Sequence, residues 1–326
     1  MTNSTLYLNP PFAITRTSHV SLSVRNLDEA VNFYTQVAGM VVSLIDKGTA
    51  YLRGIEEIAH HSLILRQSSE SPTCDYIGFR VAQDKDIDLA EAYFAKLGLT
   101  TKRVQRPHQG PSLLVHHSSG IPFELTSSMS KQKRVLTDYA NHKGARALRI
   151  DHYQVIVPEV GTIGKSFMDF GFRASEMIVQ SETDKHLGIF LHRKNNPHDL
   201  VLAMGAGPRL HHFAFVTSDL QNMIRACDIA GNLGHGKDVE RGPGRHGPGN
   251  GMFVYFRDPD GHRLEIILPP MQYMDQDEET RVWNSADKHM IVPWGQPASK
   301  SWLEEASLFT NVEINDKDNL ARWVSR

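Results

Sequence analysis

The feature that most constrains this sequence is a unit of about twenty residues that occurs four times. In each unit a strand-like alternating segment leads into apolar residues at helical spacing, which end at a glycine. Self-similarity at a fixed period indicates repeated supersecondary units and sets the architecture before any single element is assigned. The separations are 20, 21, 19 and 19 residues, for His19 to Gly39, Ile77 to Gly98, His152 to Gly171 and His212 to Gly231.

Each unit continues with further strand patterns, so the repeat is predicted to be a βαβββ module. One such module is too small to bury both faces of its sheet. We therefore expect an α+β fold in which four modules pair into two domains with curled, half-barrel sheets and helices outside. The predicted division is an N-terminal two-module domain at 1–128, a linker helix at 129–147, a C-terminal two-module domain at 148–275 and a tail at 276–326 that packs on it.

Composition excludes several classes of function. With 35 basic against 37 acidic residues, the chain has no excess of positive charge that would attract nucleic acid or an anionic membrane. The two cysteines, Cys74 and Cys227, lie far apart and indicate neither a disulfide framework nor a thiolate zinc site. Neither a signal pattern nor a run of apolar residues long enough to span a membrane occurs. The expected location is the cytoplasm.

Overlaying the repeats predicts a metal site. The unit starts align His19, Ile77, His152 and His212, and the final strands align Leu63, Glu124 and Glu265. If a site takes one histidine from each first strand of a pair and the acid from the last strand, then the second pair supplies a complete set: His152, His212 and Glu265. The first pair has Ile77 at one ligand position and is predicted to hold no metal. The same overlay selects His212 over His211, which is expected to point away.

Two neutral imidazoles and one carboxylate on one face leave half of an octahedron open. This arrangement is typical of non-haem Fe(II) that binds substrate and O₂ together. Zinc more often has a fourth protein ligand or a single water. For any one of these residues alone, a satisfied core histidine or a surface acid is the more common role, but three of them coincide in register.

At this point the sequence resembles the extradiol catechol dioxygenases of the vicinal oxygen chelate superfamily, which have a glyoxalase-like fold. The resemblance runs from about residue 15 to about residue 306 and is nearest to the homoprotocatechuate and catechol 2,3-dioxygenase branch. It implies ring opening of a catechol beside one hydroxyl by O₂, with Fe(II) or Mn(II), in a homo-oligomer, with a tetramer favoured. The motifs that carry it are 209–213, 241–247, 255–266, 50–53, 60–61 and 301–307.

The resemblance also implies roles for individual residues. His152, His212 and Glu265 match the metal ligands, and His198 matches an acid/base histidine. Tyr255 and His246 match residues that hydrogen-bond the substrate oxygens, and Arg241 matches a pocket arginine. A histidine that titrates near neutrality suits such proton transfers.

Three differences from that branch concern the substrate pocket. Met290 and Ile291 stand where the branch has a pair of arginines for a substrate carboxylate. Gln154 replaces an asparagine and Phe190 replaces a tryptophan. We therefore expect Met290 and Ile291 to form an apolar wall and the substrate to be a catechol that is neutral or carries alkyl, halo or hydroxy groups.

Three alternatives remain open at this stage. The first is a homoprotocatechuate-type enzyme for an acidic catechol. The second is a binding protein that sequesters a ligand without metal, and the third is a glyoxalase-type isomerase, which usually has a second acid among its metal ligands.

Overall fold

The computed structural model describes residues 8–275 and 277–315. Its first eight strands form one sheet in the order β2-β3-β4-β1-β5-β8-β7-β6. The strands are Ile14–Val24 (β1), Val41–Asp46 (β2), Thr49–Arg53 (β3), Leu63–Gln67 (β4), Cys74–Val81 (β5), Thr100–Val104 (β6), Ser112–His116 (β7) and Pro122–Thr126 (β8).

The remaining strands form a second sheet in the order β14-β15-β16-β13-β9-β12-β11-β10-β17, with β18 paired to β13. They are Arg149–Val157 (β9), Arg173–Gln180 (β10), Lys185–His192 (β11), Leu200–Met204 (β12), Arg209–Val216 (β13), Val239–Arg245 (β14), Met252–Arg257 (β15), Arg263–Ile267 (β16), Arg281–Asn284 (β17) and Ser307–Leu308 (β18).

The predicted module recurs in both sheets, and the α+β fold class is confirmed. In every module the last strand runs parallel to the first, as β4 does to β1 and β16 does to β13. The two modules of a pair meet through their antiparallel first strands, β1 with β5 and β9 with β13. One helix follows each first strand: Leu27–Gln36 (α1), Asp84–Lys96 (α2), Val160–Asp169 (α3) and Leu220–Asn232 (α4).

The helix starts follow local sequence. Asn26 caps α1, its side chain accepting a hydrogen bond from Glu29 N at 3.2 Å, and Asp219 caps α4 by accepting from Asn222 N at 2.8 Å. Such caps satisfy backbone donors that have no partner within the helix. The buried residues of α1 pack on β3 and β4 of the first sheet, and Tyr34 also reaches Phe213 of the second.

The two sheets share one hydrophobic core where β1 lies against β9. The hydroxyl of Tyr153 lies 2.6 Å from the carbonyl oxygen of His19 and 2.8 Å from that of Gly78. Asp199 accepts a hydrogen bond from Thr17 N at 2.7 Å. The first sheet therefore supports the strands of the second from behind.

The segment at 129–147 differs from the prediction, because it forms no α-helix. It contains one 3₁₀ turn, Tyr139–Asn141 (η1). Apart from a few turn hydrogen bonds within the segment, its backbone bonds to neighbouring segments, with Gln132 N donating to Ile58 O at 2.7 Å and Ala147 N to Ala38 O at 2.9 Å. The polar and basic composition of the segment suits a helical linker, but composition does not specify where its backbone groups find hydrogen-bond partners.

The tail crosses both sheets. It adds β17 alongside β10 and β18 alongside β13, and forms two short helices, Lys288–Ile291 (α5) and Lys300–Glu304 (α6). Phe309 forms a bridge with Cys74 of the first sheet. The buried Arg263 donates to the carbonyl oxygens of His211 and Glu305, both at 3.0 Å, which ties the tail to the sheet. None of the helices in the described ranges combines the length and apolar character that a membrane span requires.

Candidate active site

Three neighbouring strands bring His152, His212 and Glu265 together on one face of the second sheet. The sheet order β16-β13-β9 places their strands side by side. His152 Nε2 lies 3.0 Å from Glu265 Oε2 and 3.2 Å from His212 Nε2, and His212 Nε2 lies 3.2 Å from Glu265 Oε2. All three side chains are buried. The arrangement forms a nearly equilateral triangle of two nitrogens and one oxygen.

The size of this triangle tests whether it fits a metal. Ligands about 2.1 Å from an ion are about 3.0 Å apart at right angles and about 3.4 Å apart at the tetrahedral angle. Edges of 3.0, 3.2 and 3.2 Å match one face of an octahedron better than three corners of a tetrahedron. These residues therefore fit a divalent ion that keeps three further positions open.

The charges of the cluster agree with a cation site. Burial opposes ionisation of Glu265, but its close contacts with His152 and His212 outweigh burial and hold the pKa of Glu265 well below its usual range. Burial also opposes protonation of His152, yet hydrogen bonds to Asp151 and Glu265 raise its pKa to about 9. The carboxylates of Asp151 and Glu265 therefore favour a positive charge at the centre of the triangle, which a proton or a metal ion can supply.

Asp151 and Asn196 hold His152 from behind. His152 Nδ1 lies 2.8 Å from Asp151 Oδ2, and Asn196 Nδ2 donates to Asp151 Oδ1 at 2.7 Å. Since a carboxylate only accepts, Nδ1 carries a hydrogen, and Nε2 is the nitrogen that faces the triangle. There Nε2 holds a proton toward Glu265 or, where a cation replaces that proton, presents its lone pair to the cation. A carboxylate behind a ligand histidine is a common arrangement at metal sites.

His198 stands beside the triangle without belonging to it. Its ring centroid is 4.1 Å from that of His152, and burial lowers its pKa well below the usual value. His198 is 5% exposed, and its Nδ1 has no hydrogen-bond partner among the described residues. A neutral, buried imidazole with an unpartnered nitrogen at a cavity wall is able to accept and return a proton.

His246 and Tyr255 lie on the other side of Glu265. His246 Nε2 is 3.0 Å from the Tyr255 hydroxyl and 3.2 Å from Glu265 Oε1. Burial, followed by the charge of Glu265, raises the pKa of Tyr255 well above its usual value, so the phenol keeps its proton. The pair places one hydroxyl and one imidazole beside the open side of the triangle.

These residues line one cavity of about 360 Å³. Arg241 also lines it, with its guanidinium 4.3 Å from the Trp302 ring centroid and its Nε donating to Gln296 O at 3.3 Å. Most of the remaining lining is apolar. The predicted pocket residues Gln154 and Phe190 belong to it, together with Ile156, Ile178, Leu187, Val201, Met204, Ile267, Ile291, Val292 and Leu303.

Comparisons with known proteins agree with this geometry. Residues 149–266 match the Glyoxalase/Bleomycin resistance protein/Dioxygenase superfamily. The structure resembles homoprotocatechuate 2,3-dioxygenase from Brevibacterium fuscum, solved in complex with 3,4-dihydroxyphenylacetate. The TM-score is 0.90 at 36% identity, over 94% of this chain and 98% of that one. The chain belongs to the extradiol catechol dioxygenases.

Curated relatives agree with this assignment. A manganese-dependent 2,3-dihydroxybiphenyl 1,2-dioxygenase from Geobacillus genomosp. 3 is 26% identical over 304 residues, 88% of this chain and 95% of that protein. A metapyrocatechase from Pseudomonas sp. (strain CF600) is 25% identical over 287 residues, 84% of this chain and 92% of that protein. Family membership favours the dioxygenase over the isomerase and over the sequestering protein.

One predicted feature of this extradiol dioxygenase is wrong in part. Ile291 lines the cavity, but Met290 is 48% exposed and does not. Both residues lie in α5, where neighbouring side chains point about 100° apart. Ile291 faces the cavity while Met290 faces solvent, and Val292, just beyond the helix, lies on the cavity wall beside Ile291.

His211 was predicted to point away from the site and does not. Its Nδ1 lies 2.7 Å from His212 Nδ1, and its ring lines the cavity wall. The register between β13 and β9 shifts between Leu210 and His212. A bulge of this kind breaks the strict alternation of side chains that the prediction assumed.

The overlay of the two pairs of modules was displaced by one residue at Ile77. Val20 pairs with Ile77 as Tyr153 pairs with Phe213, so Tyr76 is the counterpart of His212. Ile77 instead belongs to the hydrophobic core. A shift of one residue moves a side chain to the other face of a sheet, which is why this error changes the residue at the site.

Sequence reasoning missed Asp151, Asn196 and the cavity role of Trp302. Asp151 offered a signal, because an acid next to a predicted ligand histidine is a candidate for orienting it. The tail lacks the repeat, so nothing in the periodicity pointed Trp302 toward the cavity.

Proposed function

We propose that this chain opens the ring of a neutral catechol beside one hydroxyl, using O₂, to give a product of the 2-hydroxymuconic semialdehyde type. The observation that carries the proposal is the triangle of His152, His212 and Glu265 at the end of a cavity of about 360 Å³ whose walls are mostly apolar. A pocket of this kind suits an aromatic ring with a few polar groups at one end.

The proposed metal ligands are His152, His212 and Glu265, and the proposed ion is Fe(II), with Mn(II) as the alternative. Bound by these three residues, such an ion would supply Lewis-acid chemistry that makes the catechol hydroxyls more acidic, and it would leave positions open for substrate and O₂. The supporting features are the edge lengths of the triangle and the hydrogen bond from His152 Nδ1 to Asp151.

The surrounding residues divide the remaining tasks. His198 accepts and returns a proton, which its unpartnered buried nitrogen supports. The Tyr255 hydroxyl and the His246 ring hold a substrate oxygen at the open side of the triangle. Arg241 supplies positive charge at the cavity wall, and Gln154 and Phe190 contact the ring.

The walls favour a neutral substrate over an acidic one. Ile291 and Val292 line the cavity wall, and Ile291 occupies one of the two positions at which the homoprotocatechuate branch has arginines for a substrate carboxylate. Arg241, which lines the cavity, is buried against Trp302 and Phe253, at 4.3 and 5.0 Å from their ring centroids. A carboxylate carried to the apolar wall would lose its hydration without gaining a paired cation.

A screen of ring cleavage tests the proposal. The purified chain, loaded with Fe(II) under anaerobic conditions, is mixed with O₂ and with catechol, 3-methylcatechol, 4-chlorocatechol or 3,4-dihydroxyphenylacetate. We expect a yellow ring-fission product and equal uptake of O₂ and catechol with the neutral members. Binding of these catechols by the metal-loaded chain without O₂ uptake would contradict the proposed function.

Three properties of the whole molecule are part of the proposal. Residues 1–128 form a domain without metal and 148–275 form the catalytic domain, as their separate sheets support. The chain forms a homo-oligomer, for which the edge strand β17, with Val282 61% exposed, is a candidate surface. Location in the cytoplasm agrees with two unpaired cysteines. Light scattering measures the oligomer.

A further inference from the structure

A chain of hydrogen bonds joins the tail to a proposed metal ligand. His211 Nε2 lies 2.9 Å from the carbonyl oxygen of Trp302, and His211 Nδ1 lies 2.7 Å from His212 Nδ1. Both histidines are 2% exposed. The sequence of contacts runs from Trp302 through His211 to His212, whose Nε2 forms one corner of the triangle.

The direction of each hydrogen bond follows from the acceptor at the end of the chain. A carbonyl oxygen only accepts, so His211 Nε2 carries a hydrogen. In a neutral ring its Nδ1 is then bare and must accept the hydrogen of His212 Nδ1. His212 Nε2 is thereby left with its lone pair directed at the triangle, 3.2 Å from Glu265 Oε2.

We propose that His211 is a positioning residue that fixes the tautomer and orientation of His212 and thereby strengthens metal binding. The proposal rests on the assignment of His212 as a ligand in the proposed function. The carboxylate of Asp151 orients His152 in the same way, by accepting a hydrogen bond from its Nδ1. His212 is oriented instead by the neutral ring of His211, which is hydrogen-bonded to the tail at Trp302.

The tail segment that supplies this carbonyl is also part of the cavity. The indole of Trp302 lines the cavity and packs edge-on against His211, with centroids 4.6 Å apart. Arg263 holds the same segment through the carbonyl oxygens of Glu305, at 3.0 Å, and Ser301, at 3.4 Å. Trp302 therefore contributes its indole to the cavity wall and its carbonyl oxygen to the chain of hydrogen bonds that leads to His212.

Two substitutions of His211 separate hydrogen bonding from packing. His211→Phe keeps a planar ring against Trp302 but has no nitrogen. His211→Gln keeps an amide oxygen that can accept from His212 and an NH₂ group that can donate to Trp302. Affinity of the metal-free chain is measured for Mn(II), from the spectroscopic signal of the free ion, and for Fe(II), by anaerobic competition with a chelator.

We expect His211→Phe to weaken affinity for both ions by about 10- to 100-fold, the range for loss of a hydrogen-bond partner behind a ligand histidine. His211→Gln should restore most of this loss. His211→Phe with the parent affinity, or His211→Gln as weak as His211→Phe, overturns the proposal. A parent chain that binds neither ion overturns it together with the metal assignment.

His262→Phe is the matched control. His262 is a buried histidine that also holds the tail, its Nδ1 lying 2.7 Å from Ser307 Oγ and its Nε2 3.0 Å from Ser23 O, but it does not contact the triangle. We expect it to leave metal affinity within about twofold of the parent. An equal loss in His262→Phe would show that loosening the tail is sufficient and that His211 has no specific role.

The outcomes distinguish this proposal from the proposed function. Normal catechol cleavage by the parent with unchanged metal affinity in His211→Phe rejects only the positioning role. Weakened affinity in His211→Phe, with no cleavage of any catechol by the loaded parent, supports the positioning role and rejects the proposed function. Unfolding of each metal-free variant by urea shows whether its fold is intact.

Discussion

The two sheets of this chain contain related sites, each with a buried carboxylate, and the two carboxylates are stabilised by different partners. Glu124 is the counterpart of Glu265, and both are almost fully buried. Around Glu265 stand two histidines at 3.0 and 3.2 Å in a triangle that fits a metal ion. Around Glu124 stand His19 at 3.2 Å and Arg106, whose Nε donates at 2.9 Å.

In the first sheet a guanidinium supplies the positive charge that a metal would supply in the second. Arg106 also lies over the ring of Tyr76, 4.8 Å from its centroid, where the second sheet has His212. Gln109 Nε2 donates at 2.8 Å to Glu124 Oε1, the oxygen that His19 also contacts. A buried charge is stable when it is paired and hydrogen-bonded, and the same framework allows either partner.

The proton-transfer position has a counterpart as well. His61 lies two residues before Leu63, which pairs with Val20, and His198 lies two residues before Leu200, which pairs with Tyr153. Burial lowers the pKa of both histidines well below the usual value. The first sheet therefore keeps an acid, a ligand-type histidine and a relay-type histidine, but has Tyr76 in place of the second ligand.

The largest effect is expected from removal of the acid at each site. Glu265→Gln should reduce the metal content from one ion per chain to almost none, with affinity at least about 100-fold weaker, because it removes the negative ligand itself. Glu124→Gln is the matched control and should keep one ion per chain. Elemental analysis decides, and two ions in the parent, or full occupancy in Glu265→Gln, would contradict the assignment.

A smaller effect is expected from the two relay-type histidines. His198→Phe should keep the metal and lower kcat by about 10²- to 10⁴-fold, the usual contribution of a positioned acid or base. His61→Phe, at the corresponding position of the first sheet, should change kcat by less than about threefold. Metal content and steady-state kinetics are measured together. Parent-like rates and product ratios with every catechol in His198→Phe would exclude the proposed role.

The third prediction concerns a carboxylate on the substrate. In the first sheet Arg106 pairs with the carboxylate of Glu124, whereas in the second sheet the apolar Ile291 on the cavity wall cannot pair with a substrate carboxylate. We expect kcat/KM for a neutral catechol to exceed that for 3,4-dihydroxyphenylacetate by at least about tenfold, because a penalty of about 1.4 kcal/mol suffices for this ratio. Ile291→Arg should narrow the ratio.

Met290→Arg is the control for this substitution, since Met290 is 48% exposed and lies outside the cavity lining. It adds the same charge one residue away and should leave the ratio unchanged. An equal or higher kcat/KM for the acid in the parent would show that another cation receives the carboxylate.

The smallest effect is on stability. Arg106→Gln should lower the free energy of unfolding by about 1–3 kcal/mol at neutral pH, because it leaves Glu124 buried with less positive charge. Burial opposes ionisation of Glu124, but His19 and then Arg106 outweigh it and lower its pKa. A carboxylate with a lowered pKa contributes stability above its ordinary pKa and loses it as pH falls through the folded-state value.

The difference between Arg106→Gln and the parent should therefore shrink in acid, where Glu124 is protonated in both. Urea unfolding at neutral pH and below the ordinary range of a glutamate measures it. Arg103→Gln is the control, because Arg103 forms exposed ion pairs with Asp88 and Glu91 and should cost less than about 1 kcal/mol at either pH. A pH-independent difference for Arg106→Gln would contradict the pairing.

Much of the site was accessible from sequence, because its framework is repeated. His152 and His212 stand at equivalent positions of the first strands β9 and β13, and Glu265 lies in the last strand β16, so an overlay of the modules could select them without coordinates. The same overlay failed by one residue at Tyr76, because it counted from apparent strand starts and not from paired residues. Register depends on which residues bond across strands, and local pattern only approximates this.

The sequence by itself determined the four modules, the fold class and the three residues of the triangle, since each depends on periodicity within a short segment. Tertiary structure alone decided the partner of His212 Nδ1, the place of Trp302 in the cavity and the exposure of Met290. These depend on a bulge in β13 and on a tail outside the repeat, over 80 residues from the strand it meets. Contacts between distant segments leave no period in a sequence, so only the folded chain reveals them.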